Sequence, residues 1–364
     1  MEDRHVGTLA ATDDHRVAFA YSDAWLENGF AISPFSLPVE RKVFVPSGQA
    51  FHGMWGVFDD SLPDAWGQLL VDRMLKSRGL DHATPLERLA IVGDSGMGAL
   101  RYHPAWEAHQ EAEPSDLDEL SAQCQTLLSH ADVSDLDDLF QMGGSSGGAR
   151  PKIMTDSWVI KFPASGDMVD VGLMEKEYMD CAAACGIVVP ETKLLPSKKC
   201  SGYFACRRFD REEAESHITA RHMLTAAAIL EADWRTAAMD YHTLMKLTRI
   251  LSRSNEEDLR QMYRVMCFNV FTHNRDDHAK NFSWIYDPQL DCWHPSPAYD
   301  LTWSTTYFGE HTTTVDGNGK NPGMNELLVV GKAAGIGPKD CRRMAEEVKE
   351  TAGYLAEKYQ GMRS

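Results

Sequence analysis

The sequence has 364 residues, 43% hydrophobic and 25% charged, with a formal charge of −18. That length is too great for one small core and calls for two or three lobes, while no run nears the roughly 18 apolar residues of a spanning helix, which excludes a helical membrane protein. The acidic balance, without any Lys/Arg cluster, excludes strong direct binding to nucleic acid.

Eight scattered cysteines with no Cys-x-x-Cys pair fit reduced thiols in a cytoplasmic protein, and Cys181 and Cys185 read as packing neighbours on one helix face. Met1-Glu2-Asp3-Arg4-His5 lacks the charged-then-apolar plan of a signal peptide.

Residues 1–105 alternate short apolar runs such as Arg16-Val17-Ala18-Phe19-Ala20-Tyr21 with turn signals, and predict short strands followed by a helix near Pro63 to Arg78. Gly93-Asp94-Ser95-Gly96-Met97-Gly98 reads as a turn, since it lacks the strand, helix and lysine of a phosphate loop. Residues 106–140 are acidic with helically spaced leucines (Leu117, Leu120, Leu127, Leu128), a composition that suits a linker or a solvated helix pair between lobes.

Residues 141–210 open with Gly143-Gly144-Ser145-Ser146-Gly147-Gly148, the most flexible-looking segment. Strand-like Lys152-Ile153-Met154 and Trp158-Val159-Ile160-Lys161-Phe162 follow. Residues 211–364 form a third lobe, whose spacing predicts helix from about 216 to 275 and again from roughly Lys339 to Tyr359. The fold class expected is α+β: a bilobal protein-kinase-like fold with a β-rich N-terminal subdomain and a mostly helical C-terminal lobe.

The chemistry concentrates in His273-Asn274-Arg275-Asp276-Asp277-His278-Ala279-Lys280-Asn281. Phosphoryl transfer needs the nucleotide phosphates held, Mg²⁺ placed by carboxylate and amide oxygens, and a carboxylate beside the accepting hydroxyl; a kinase-type loop therefore sets an Asp five residues ahead of an Asn. Asp276 has that separation from Asn281 and Asp277 does not, so spacing selects Asp276 as base, with Lys280 between them to neutralise phosphoryl charge. Phe282 to Tyr286 reads as a strand and Asp287-Pro288 as its turn. The return from Trp293 ends at Asp300, the candidate second metal carboxylate. Upstream, Lys161 ends an apolar strand and suits the α/β-phosphates, Glu175 or Glu177 on the next helix suits its orientation, and Gly147-Gly148 offers backbone N–H groups. Tyr203 to Phe209 reads as a strand leading to a hinge that contacts the adenine edge.

Each feature alone has a plainer reading: a chance spacing, a strand-end lysine, a linker, a turn aspartate. His273 and His278 with two aspartates also resemble a metal-hydrolase cluster, but Lys280 sits poorly beside a bare metal. All together, in the chain order of a bilobal kinase, they favour phosphotransfer.

With those residues in place, the sequence resembles the HipA family of bacterial serine/threonine-protein kinase toxins. Asp276-Asp277-His278-Ala279-Lys280-Asn281-Phe282-Ser283 is similar to its catalytic loop, and Ser296-Pro297-Ala298-Tyr299-Asp300 to its second metal-binding turn. Arg208-Phe209-Asp210-Arg211 is similar to its hinge, and Gly186-Ile187-Val188-Val189-Pro190-Glu191 to a helix-to-strand junction. Phe58-Asp59-Asp60-Ser61-Leu62-Pro63-Asp64 and Gly96-Met97-Gly98-Ala99-Leu100 match in the N-terminal part.

The resemblance implies Asp276 as catalytic base, Asn281 and Asp300 as Mg²⁺ ligands and Lys161 as the ATP-phosphate lysine. It implies a nucleotide site lined by Gly147, Gly148, Ala149, Arg150, Lys152, Arg207, Phe209, His278, Lys280 and Tyr299. Ser145, with Ser146 beside it, takes the place of a serine whose autophosphorylation expels the loop and switches the kinase off. The loop departs from the family pattern in Arg150, which replaces a Gln, and Arg207 replaces a residue that is often acidic. Further implications are a helix-turn-helix antitoxin partner that carries the operator-DNA contact, and a protein substrate such as an aminoacyl-tRNA synthetase. A homodimer is compatible with all of this. The alternatives are an aminoglycoside-type small-molecule kinase and a nucleotide-binding pseudokinase.

Overall fold

The structure, a computed structural model, describes residues 4–48, 50–106, 116–129, 136–214, 217–235, 239–306 and 309–360. The chain forms two compact units, one of residues 1–169 and 195–233, the other of residues 170–194 and 234–364.

The first unit opens with an antiparallel hairpin, Gly7–Ala11 against Val17–Tyr21, in which Leu9 faces Phe19. Its inner face joins Phe19, Tyr21, Phe44 and Phe58 in one aromatic cluster with centroids 4.8 to 6.5 Å apart. The helix expected near Pro63 to Arg78 is Ala65–Ser77, with Trp66, Leu70, Val71 and Met74 buried at three-to-four spacing. A capping box formed by Thr84 and Glu87, with Pro85 at the first helical position, starts the helix Pro85–Val92.

The acidic segment is more than a linker. Its helices Leu117–Leu128 and Leu136–Gly143 put Leu120, Cys124, Leu127 and Leu139 into one core with Trp66, Leu70, Ile153, Ile160, Phe162 and Tyr203. The charges lie on the other helix faces, which is why average composition pointed toward solvent. Residues 107–115 and 130–135 of that segment lie outside the described residues.

Strands Lys152–Met154, Trp158–Lys161 and Tyr203–Arg207 run antiparallel in that order beneath this core. The helical reading from about 216 needs correction. Arg211–Ala214 and His217–Ala220 form a hairpin and Met223–Thr225 a strand, all in the first unit; helix begins only at Ala226. Strands of three or four residues are too short to impose a readable period before an alanine run.

The second unit is built on the helix Glu256–Thr272. Its start is capped by Asn255, which accepts from the N–H groups of Glu257 and Asp258, and its end by His273 in the left-handed conformation. Pro338–Ala352 packs along it, Tyr263 bonding the Cys341 carbonyl at 3.3 Å. Gly331, on the helix Met324–Ala333, is needed there, because a β-carbon would stand 2.6 Å from the Tyr263 ring. The terminal helix is divided in two, Pro338–Ala352 and Tyr354–Gln360, by Gly353. Val171–Ala184 and Tyr241–Leu251 complete the helices, and Ser283–Asp287 pairs with Cys292–Pro295 in the expected hairpin. No helix among the described residues is long and apolar enough to cross a membrane.

Candidate active site

The segment from His273 to Asn281 leaves the end of the central helix through the left-handed turn at His273 and is pinned at nearly every step. Ser304 Oγ accepts from the N–H groups of Arg275 and Asp276, both at 2.8 Å, and Thr312 donates twice to the Arg275 carbonyl. Asn281 Nδ2 donates to the Asp276 carbonyl at 2.6 Å, closing the loop on itself.

The adjacent carboxylates have opposite surroundings. Asp277 is 1% exposed and accepts from the Tyr241 hydroxyl at 2.9 Å, His311 Nδ1 at 2.9 Å and the Thr313 N–H at 3.1 Å. The Asp276 side chain is 55% exposed, and His278 Nε2 lies 3.8 Å from its Oδ1. His278 Nδ1 accepts from the Lys280 N–H at 3.2 Å, which puts the ring proton on Nε2, toward Asp276. Trp234 lies against the His278 ring at 4.5 Å and fixes its plane.

Behind the loop, Tyr299 binds the Lys280 carbonyl at 2.7 Å and Ser283 Oγ at 2.5 Å. The next residue, Asp300, has φ of 56°, a conformation that costs a non-glycine residue about 1 kcal/mol or more and gathers at functional sites. Glu175 and Glu177 part company on their helix. Glu177 binds Tyr354 at 3.1 Å, Tyr359 at 2.5 Å and Lys358, anchoring the C-terminal helix, whereas Glu175 is 2% exposed.

In the first unit the glycine-rich loop is packed rather than loose. Ser145 is 9% exposed and donates to the Ser95 carbonyl; Ser146 is fully buried and donates to the Gly143 carbonyl at 2.6 Å. Gly148 accepts at its carbonyl from the Trp66 N–H and donates its own N–H to Asp64. With φ of 85°, Gly148 holds a conformation strained for any other residue, and a β-carbon there would push aside the Lys152 ammonium 2.5 Å away. Ala149 is exposed.

Lys152 and Lys161 are register partners in the sheet, so their side chains leave the same face. The Lys161 ammonium also lies 5.6 Å from the Phe204 ring centre. Arg150 binds Asp167 at 3.1 Å, and Arg207 binds Glu213 at 2.7 Å. Phe209 is half-buried.

Sequence reasoning missed what unites the N-terminal motifs. Asp210 is wholly buried; burial alone would raise its pKa, but Arg208 at 2.9 Å and Arg211 hold it below the usual carboxylate value. The same two arginines bond the carbonyls of Gly96 and Gly98, and Asp210 accepts from the Gly98 N–H at 2.8 Å. Asp60 accepts twice from Thr225, and Ser61 pairs with Tyr102 at 2.7 Å. The matched motifs thus brace the turn that receives Ser145 and the helix that receives Gly148. Only their shared polarity signalled this.

This α+β architecture, with an Asp-x₄-Asn loop ahead of a hairpin, defines a kinase-like fold. The chain belongs to the HipA family: residues 1–103 match the HipA N-terminal domain and residues 144–354 the HipA-like C-terminal domain. Two Sinorhizobium fredii proteins are similar to it. Putative kinase Y4mE is 26% identical, over 97% of this chain and 89% of its own length. Putative kinase Y4dM is 26% identical, over 85% of this chain and 78% of its own length. Among solved structures, the HipA, HipB and operator DNA complex of the Shewanella oneidensis MR-1 toxin–antitoxin system matches with a TM-score of 0.72. That match covers 98% of this chain and 89% of the other at 16% identity, a likeness of fold.

Proposed function

We propose that the chain is an ATP-dependent serine/threonine-protein kinase acting as the toxin of a toxin–antitoxin pair. The observation that carries this reading is the split between the adjacent carboxylates. Asp277 is buried and saturated with donors, while Asp276 is exposed five residues before Asn281. An acceptor hydroxyl gives its hydrogen bond, and finally its proton, to Asp276. The oxygen then bonds to the γ-phosphorus as the bond to the β–γ bridging oxygen breaks and ADP leaves.

The fold family implies Mg²⁺, and the donors fit it. Asn281 spends its Nδ2 on the Asp276 carbonyl and keeps Oδ1 for ligation, and Asp300 adds a carboxylate, both hard oxygens. When bound, the ion neutralises charge on the nucleotide phosphates. Lys152 and Lys161, which leave the same face of the sheet, are assigned to those phosphates, with Gly147 and, once released from Asp64, Gly148 supplying backbone N–H groups. Lys280 is assigned to the transferred phosphoryl group and Glu175 to orienting the phosphate lysine. Ala149, Arg150, Arg207, Phe209, His278 and Tyr299 complete the assigned nucleotide site.

Ser145 is the assigned autophosphorylation site, since Ser146 is wholly buried. A phosphate there replaces the donor to the Ser95 carbonyl with repelling oxygens, and the loop must leave. The protein partner is assigned by analogy with the HipA–HipB complex: a DNA-binding antitoxin that supplies the operator contact a chain of charge −18 is ill suited to make. The acceptor class is a translation protein such as an aminoacyl-tRNA synthetase.

The test incubates wild type and Asp276→Asn with labelled ATP and Mg²⁺, alone and with host lysate, and maps phosphate by mass spectrometry. Transfer to Ser145 and to a lysate protein by wild type only supports the reading. No transfer to any protein sinks it.

A further inference from the structure

Two successive backbone N–H groups of the His273-to-Asn281 segment converge on one side-chain oxygen. Arg275 and Asp276 each donate to Ser304 Oγ at 2.8 Å, and the Ser304 N–H donates in turn to the His273 carbonyl at 3.3 Å. A hydroxyl oxygen has two lone pairs, and both are spent here. On the carbonyl side of Arg275, the oxygen accepts from the Thr312 N–H at 3.1 Å and from the Thr312 hydroxyl at 3.0 Å.

Ser304 belongs to the stretch of chain that also carries Asp300. Between the two, Leu301 is 3% exposed and Thr302 7%, so close packing holds the connection in place. Asp276 gains most from such an anchor. Its side chain is 55% exposed, and the backbone beneath it is the part that the fold can hold. A general base must come within roughly 2.6–3.2 Å of the proton it takes. A misplacement of about 1 Å costs on the order of a hundredfold in rate.

We propose that Ser304 is a positioning residue for the phosphoryl transfer: its Oγ fixes the backbone of Asp276 and fastens the base to the segment that carries Asp300. The inference rests on the kinase reading above. A water molecule can carry the same two bonds, but a water is not joined by the chain to Leu301 and Asp300. Loss of the hydroxyl therefore spares the fold and loses the placement.

The test measures initial rates of labelled-phosphate transfer, to the protein itself and to host lysate, against ATP concentration. Wild type, Ser304→Ala and Ser304→Thr are compared, with amide hydrogen exchange followed on the same preparations without ATP. Ser304→Ala is expected to lower kcat about tenfold to a hundredfold and to leave KM for ATP within about twofold, since both bonds are made to the backbone of the loop. Ser304→Thr keeps the oxygen and is expected to restore most of the rate. The amides of Arg275 and Asp276 are expected to exchange about tenfold or more faster in Ser304→Ala, and threonine to slow them again. Should the alanine variant fail to fold, Ser304→Cys, close in shape but with a weakly accepting sulfur, takes its place with the same expected split. Wild-type kcat in Ser304→Ala, a loss confined to KM, a threonine variant as slow as the alanine one, or unchanged exchange at Arg275 and Asp276 would each overturn the proposal. A wild type that transfers no phosphate removes the kinase reading together with this inference; those outcomes beside an active wild type remove this inference alone.

Discussion

Asn281 Nδ2 reaches back to the backbone carbonyl of Asp276 at 2.6 Å, so the two residues that spacing singles out are fastened to each other directly. The contact uses the Asp276 backbone and leaves its carboxylate to other work. Asp277, one residue on, holds the loop to Tyr241, His311 and Thr313. Position in the chain and exposure to solvent favour the same aspartate, Asp276, for the proposed role of base.

That split predicts opposite phenotypes for neighbouring substitutions. Asp276→Asn is expected to abolish phosphoryl transfer while leaving stability within about 0.5 kcal/mol of wild type, as for an exposed position. Asp277→Ala is expected to cost about 3 kcal/mol or more, because it strands three buried donors. Paired denaturation curves and labelled-ATP assays check this. An inactive but fully stable Asp277→Ala beside an active Asp276→Asn would reverse the assignment.

The elements that could be read from sequence are those whose signal is local. The hairpin from Ser283 to Pro295 and the strands at Lys152 and Trp158 carry their own alternation, and the Asp276-to-Asn281 separation is a property of one short segment. What escaped depended on distant partners. Nothing near Asp210 says that Arg208 and Arg211 will bury with it around Gly96 and Gly98, and nothing in a run of serines and glycines says that Trp66 and Asp64 will hold it down. The leucines at 117, 120 and 127 were visible, but whether their face meets a sheet or water is decided by the partner.

Acid sensitivity is expected from His222, which is buried with Nε2 donating to the Ile32 carbonyl at 2.8 Å. Burial lowers its pKa from 6.5 to about 4. Below about pH 6.5 the unfolded chain takes up a proton that the folded chain refuses, so stability falls as pH drops toward 4, by up to about 1.4 kcal/mol per pH unit. His222→Gln should be less stable near neutrality, yet its deficit should shrink toward pH 5. Urea midpoints of the two proteins that stay parallel across this range would contradict the assignment.

The packed state of Ser145 makes its own prediction. Ser145→Glu places a carboxylate against the Ser95 carbonyl that the hydroxyl now serves, so the loop should swing out. Limited proteolysis should then cut near residues 143–150, where wild type resists, while Ser146→Ala, which removes only a local bond to Gly143, should cut slowly. Equal cutting of wild type and Ser145→Glu would mean that the loop tolerates the charge in place.

The facing lysines separate a binding role from a structural one. Lys152 and Lys161 are register partners and leave the same face of the sheet, where the proposed nucleotide phosphates are assigned to both. Lys152 is 7% exposed, and methionine keeps the length of its buried stem. Lys152→Met is expected to lower ATP affinity about tenfold or more, as the loss of a charge-assisted phosphate contact requires, while the variant keeps a cooperative unfolding transition. Calorimetric unfolding and ATP titration on the same preparation check both halves. A variant that loses stability and keeps its ATP affinity would place Lys152 in the architecture of the loop and leave the phosphates to Lys161 and the glycine N–H groups.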